Sequence, residues 1–187
     1  MATPESSQYY TPSSGDCWVL QVLDRLRGLL AADPLLDGWF DGTIRQFPVT
    51  SALEKNAAGV LLPAVVSLHA PMAFYTTATT MGEVGVGKTK ASVVAALTMT
   101  FAEPQNEDAD GWALLHRRCW NTTEKFRTAL LRYREDTTPG APLWNYMLFP
   151  QHTPEGGGKP TAMIFREVGV AYRAIIEFTL TSHQRTI

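Results

Sequence analysis

Between Val19 and Leu30 apolar residues recur at helical spacing: Val19, Val22, Leu23, Leu26, Leu29 and Leu30 share one face, with Asp24, Arg25 and Arg27 off it. This predicts an amphipathic helix. Ser14 or Asp16 is placed to cap its start, and Asp33-Pro34 to end it, because a residue before proline is pushed out of the helical region. A second helix is predicted after the acidic turn Pro104 to Asp110, where Trp112, Leu115, Cys119, Phe126, Leu130 and Tyr133 recur at steps of three, four and seven. Proline and glycine in Thr137-Thr138-Pro139-Gly140 stop it.

Elsewhere the period shortens to two. Thr43 to Phe47 reads as a short strand stopped by Pro48, and Leu61 to Leu68 as a strand whose start is limited by Pro63. Leu143 to Phe149 alternates, with Trp144, Tyr146 and Leu148 on one side and Asn145 on the other. The clearest alternation is the last: Val168, Val170, Tyr172, Ala174, Ile176, Phe178 and Leu180 on one face, Arg173, Glu177, Thr179 and Thr181 on the other. Thirteen such residues reach ~43 Å at about 3.3 Å each, more than twice an ordinary strand, so this strand must bend or project and pair with something else.

The stretch Gly82 to Phe101, GEVGVGKTKASVVAALTMTF, admits two readings. Gly82, Gly87, Lys88 and Thr89 have the spacing of a phosphate-binding loop, in which backbone N–H groups cradle phosphates, the lysine reaches the outer phosphates and the hydroxyl holds magnesium. That loop needs a buried parallel strand before it and a helix after it. The approach, Thr76-Thr77-Ala78-Thr79-Thr80-Met81, is half polar, and no clean second carboxylate follows an apolar strand elsewhere. Beyond Lys88, Val93, Val94, Leu97 and Phe101 would share a helical face, while Val93, Ala95, Leu97, Met99 and Phe101 alternate with Ser92, Thr98 and Thr100. Branched side chains favour the pleated alternative, a hairpin of strands near 72 to 81 and 89 to 102 with a glycine tip.

The order of helix, strands, helix, strands predicts an α+β fold: an antiparallel or mixed sheet with two amphipathic helices packed on one face and long hairpins. Residues 1 to 14, polar and without periodicity, read as a flexible arm, and 15 to 187 as a single domain. The chain of 187 residues has 45% hydrophobic and 18% charged residues, an ordinary globular balance, and a net charge of −2 that argues against a nucleic-acid surface. Arg117, Arg118, Lys125, Arg127, Arg132 and Arg134 read as the solvated face of the second helix.

Candidate chemistry is sparse. Cys17 and Cys119 are too few for a disulfide scaffold, and His69, His116, His152 and His183 lack ligand spacing, so no metal, cofactor or catalytic set is expected. Without an apolar leader or a span of ~20 apolar residues, an intracellular setting is expected, with Asn121-Thr122-Thr123 a coincidence inside a helix. Trp18, Trp39, Trp112, Trp120 and Trp144, with Tyr146 and Phe149, are expected to fill the core, one or two of them marking an interface.

The arrangement resembles the tail terminator proteins of long-tailed bacteriophages. The resemblance rests on the helix VLQVLDRLRGLL, the entry LLPAVVSL, the paired strands around the glycine tip, the helix beginning GWALLHRRCW and the strand VGVAYRAIIEFTL, and covers most of residues 17 to 182. It implies a virion protein without enzymatic activity: a sixfold ring on the end of the tail tube that stops polymerisation and meets the head or neck connector. Gly82 to Lys88 and Pro150 to Pro160 would then make subunit or tube contacts. The polar N-terminal arm and the extra length depart from the family's smallest members. The rival reading is a small nucleotide hydrolase using Gly82, Gly87, Lys88 and Thr89.

Overall fold

The computed structural model describes residues 17–48, 64–70, 74–77, 88–102, 109–140, 142–150, 162–167 and 170–185. The N-terminal arm, Gly82, Gly87, the acidic turn at 104–108, His152, residues 151–160 and Val168 lie outside them. In chain order come α1 (Trp18–Ala31), a 3-10 turn (Pro34–Leu36), β1 (Ile44–Arg45), β2 (Val65–His69), β3 (Phe74–Thr77), β4 (Lys88–Phe101), α2 (Ala109–Arg132), β5 (Tyr146–Leu148), β6 (Ala162–Glu167) and β7 (Val170–Arg185). The architecture is α+β, as the pattern predicts.

All seven strands join one mixed sheet in the order β1-β2-β4-β7-β5, with β3 beside β4 and β6 beside β7. Among the described residues the β1–β2 pairing is parallel and the others are antiparallel. The spine is the β4–β7 ladder, in register from Lys88↔Arg185 to Phe101↔Tyr172. The long last strand thus finds its partner within the chain: β4 accompanies it over 14 residues.

Both helices cover one face. Val66, Leu68, Val93, Ala95, Leu97, Met99, Phe101, Ala174, Ile176, Phe178 and Leu180 from the sheet share a buried cluster with Val22, Leu23, Leu26 and Leu30 of α1 and Cys119, Phe126, Ala129 and Leu130 of α2. Phe126 meets Phe40 edge to face at 5.5 Å. On the opposite face the alternate residues Val65, Ser67, Thr98 and Thr100 are also buried. Threonine, branched at Cβ, fits a pleated strand whether or not it is wet.

Three local expectations are corrected. Arg27, placed off the apolar face of α1, is buried: Nη1 donates to the Leu68 carbonyl at 3.0 Å, Nη2 pairs with Asp24, and desolvation lowers its pKa to about 10. A charge one turn from Leu23 can sit inside because a strand carbonyl and a carboxylate both meet it there. The cap position of α1 falls on Cys17, whose side chain makes no cap bond; Ser14 and Asp16 lie outside the described residues.

The third correction is the phase of the strand around Trp144. Met147 is buried and Leu148 is 50% exposed, so Tyr146 and Leu148 do not share Trp144's side. β5 begins only at Tyr146. Trp144 lies before it, turned into the core with its indole N–H donating to the Tyr133 carbonyl at 3.0 Å, so the alternation does not run through.

Two buried aspartates tie the helix ends to the loops. Asp33 accepts from the Leu35 amide, Arg132 Nη1 and the Tyr133 hydroxyl at 2.8, 3.0 and 3.1 Å, joining the end of α1 to the end of α2. Asp136 accepts from the Leu143 amide, Arg25, and both the amide and hydroxyl of Thr138. Each carboxylate replaces water with fixed donors, which lets a loop be buried.

Candidate assembly surface

Lys88 and Thr89 are the first residues of β4, paired with Arg185 and Gln184 of β7. The chain also turns back on its predecessor there, with Thr77↔Lys90 and Phe74↔Val93 in antiparallel register. A phosphate loop would place the lysine in the opening turn of a helix after a parallel strand; these residues are extended and their neighbours antiparallel. The hairpin reading therefore describes the local geometry.

Among the described residues the cysteines and histidines form no cluster. Cys119 is fully buried, and desolvation pushes its thiol up to about 12, so it stays protonated at neutral pH. His69 is in β2, His116 on α2 and His183 in β7. Among the described residues no group of three or more His, Cys, Asp or Glu side chains could hold a metal ion. No helix of the described residues is long and apolar enough to cross a membrane.

The structure gathers instead a set of large apolar side chains at the lateral edges of the sheet. Beside β1, Phe47 is 74% exposed; at the other edge Leu148 of β5 and Met163 and Phe165 of β6 are 40% exposed or more. Leu148, Met163 and Phe165 pair with Thr179, Ile175 and Arg173 of β7, so all three lie on the face opposite α1 and α2. On the helix side, Arg166 of β6 lies 4.7 Å from the Trp112 ring centre, and Trp112 and His116 both pack on Tyr172. Trp120, 53% exposed, donates its indole N–H to His116 Nε2 at 3.2 Å.

Of the five tryptophans Trp144 is fully buried and Trp18 packs part-buried against the core, while Trp120 is 53% exposed. Tryptophan, tyrosine and arginine grouped at a surface are the side chains that anchor protein interfaces. Composition could flag an aromatic excess. It could not show that Trp112, Trp120, Arg166 and Tyr172, up to 60 residues apart, are neighbours.

A shallow concavity of about 490 Å³ opens on the opposite side, at the end of α1, lined by Asp33, Asp37, Asp41 and Phe40 among others. Asp41 is held by Arg45 at 2.6 Å, while Asp37 is exposed at its rim. Asp33 and Asp41 of its lining are thus already paired, with Arg132 and Arg45. The tip and loop expected to make contacts, Gly82 to Lys88 and Pro150 to Pro160, lie outside the described residues except for Lys88 and Pro150. Compared with protein-family models and with curated proteins, the chain matches none.

Proposed function

We propose that this protein is a tail terminator of a long-tailed bacteriophage, a structural ring component that caps the tail tube, halts its polymerisation and presents a surface to the connector. The observation that carries the reading is the pair of unlike, apolar edges on one sheet, Phe47 on one side and Leu148, Met163 and Phe165 on the other. A ring of identical subunits needs two different complementary patches per subunit. The helix-on-one-face layout and the 14-residue central ladder agree with the resemblance described above.

The test is to add the purified chain to a polymerising tail-tube protein and measure tube lengths in electron micrographs. Capped tubes of restricted length are expected, and lengths unchanged by a molar excess of the chain would remove the proposal. A parallel titration with magnesium and a nucleoside triphosphate is expected to give no saturable binding in either the native chain or Lys88→Ala. Magnesium-dependent binding that Lys88→Ala abolishes would instead favour the hydrolase.

A further inference from the structure

Where the first half of α2 meets the β6–β7 pair, the side chains build a patch of one chemical character. Arg166 of β6 is level with Tyr172 of β7, and residues opposite each other on neighbouring strands point to the same side of a sheet. Both stand on the helix side. Trp112 and His116, one turn apart on α2, meet the Tyr172 ring at 6.3 and 6.0 Å between ring centres. Arg166 covers Trp112 at one end, and Trp120, one turn beyond His116, closes the run at the other. The surface is continuous, ~12 Å long from Trp112 to Trp120 at about 1.5 Å per helical residue. Its outer members are open: Trp120 is 53% exposed, and His116, Arg117 and Arg166 are exposed as well.

The polar groups of this patch that stand in water are donors. Trp120 gives its indole N–H to His116 Nε2, so the neutral His116 ring carries its own proton on Nδ1. Arg117, one turn before Trp120, and Arg166 are guanidiniums, which donate and never accept. Among the described residues the ion pairs use Arg25, Arg27, Arg45, Arg127 and Arg132, and neither of these two. No acidic residue occurs in α2 between Asp110 and Glu124, and both Glu124 oxygens accept from Arg127. Cations and N–H groups without an acid of their own are complementary to carboxylates. Tryptophan, tyrosine and arginine around them supply the anchoring area that a protein contact uses.

We infer that this patch docks an acidic segment of a partner protein, whose carboxylates meet Arg117, His116 and Arg166 while an apolar side chain lies against Trp120. A nucleic acid is the rival polyanion. Its phosphates act through the field of the whole molecule, and a chain of net charge −2 opposes them, whereas a short acidic segment engages the local cations alone. This contact is separate from ring formation and from tube capping and needs neither.

The probe is a fluorescein-labelled peptide of Glu-Glu-Leu repeats, followed by anisotropy as the full chain is added up to about 1 mM, the range in which weak contacts saturate. Matched Gln-Gln-Leu and Lys-Lys-Leu peptides and an oligothymidylate are run beside it. Saturable binding of the glutamate peptide is expected, stronger than that of any other probe and weakening as salt is added. Arg166→Gln and Trp120→Ala should each weaken it about tenfold. Arg134→Gln, beyond the far end of α2, should leave it unchanged. Both patch residues are exposed, so each substitution should hold Tm within about 2 °C of the native chain, which separates a lost contact from a lost fold. Equal binding of the glutamine peptide, tighter binding of oligothymidylate, no saturation by any probe, or an affinity unmoved by both patch substitutions would overturn the inference. A chain that restricts tube length but ignores the glutamate peptide would remove this contact and leave the terminator reading standing; the opposite result would do the reverse.

Discussion

Replacing Trp144 with alanine should lower the unfolding free energy by about 3–5 kcal/mol, the ordinary cost of removing a fully buried large aromatic side chain. At about 2–4 °C per kcal/mol for a chain of this length, Tm should fall by roughly 6–20 °C. The residue closes the core at the point where α2 gives way to the second group of strands. Its indole N–H satisfies the Tyr133 carbonyl at 3.0 Å, and its own carbonyl accepts from the Asp136 amide at 3.2 Å. Truncation therefore leaves both a cavity and an unpaired carbonyl. Trp144→Phe separates the two: it fills most of the cavity and still orphans the carbonyl, so it should cost about 1–3 kcal/mol. Denaturant unfolding measures both variants, and a loss below about 1 kcal/mol for Trp144→Ala would show that this part of the core is not where the structure places it.

Asp136→Ala should cost about 3 kcal/mol, the low end for breaking a buried pair, since Arg25 remains 32% exposed and can be rehydrated. Burial alone would raise this carboxyl's pKa. The Leu143 amide, the hydroxyl and amide of Thr138, and the Arg25 guanidinium outweigh burial and hold it below the usual carboxylate value. A depressed folded value means that the unfolded chain binds the proton more readily. The contribution is then complete above the unfolded value of about 3.9 and is lost as pH falls from there through the folded value. Stability followed from pH 6 toward pH 3 should decline in the native chain, and Asp136→Ala should flatten the acid end of that curve. Equal slopes in the two proteins would contradict the assignment. Because the Asp136 amide bonds the Trp144 carbonyl, the two substitutions should also cost less together than the sum of their separate effects.

Much of the fold was legible in the amino-acid pattern. The apolar face of α1, the steps of three and four in α2 and the alternation of Ala174, Ile176, Phe178 and Leu180 each report a local period that the core then uses. The extended course of Lys88 and Thr89 was readable from branched residues downstream, since a valine pair and alternating threonines suit a pleated strand. Arg27 was misplaced because helical periodicity assigns a charge to solvent by default, whereas the Leu68 carbonyl that receives it comes from β2, 41 residues away. The shared side expected for Trp144, Tyr146 and Leu148 fails for a similar reason: an alternating pattern does not say where a strand begins.

The candidate contact surface was much less legible. Nothing in the order of residues brings Phe47 and the acidic rim of Asp37 to one end of a sheet row and Met163, Phe165 and Arg166 to the other. That opposition depends on pairing β1 parallel to β2 and on laying β6 against β7, and pairings between distant segments are not written in local period.

The sequence by itself determined the element types and the layered class, because helical and strand periods are set by side chains a few residues apart. Tertiary structure alone decided that a charged residue could be buried at Arg27, that Trp144 rather than Trp120 would close the core, and that Phe47, Met163 and Phe165 would stand exposed. Those outcomes depend on which carbonyl, ring or carboxylate arrives from elsewhere in the chain, and burial is stabilising only where that partner is present.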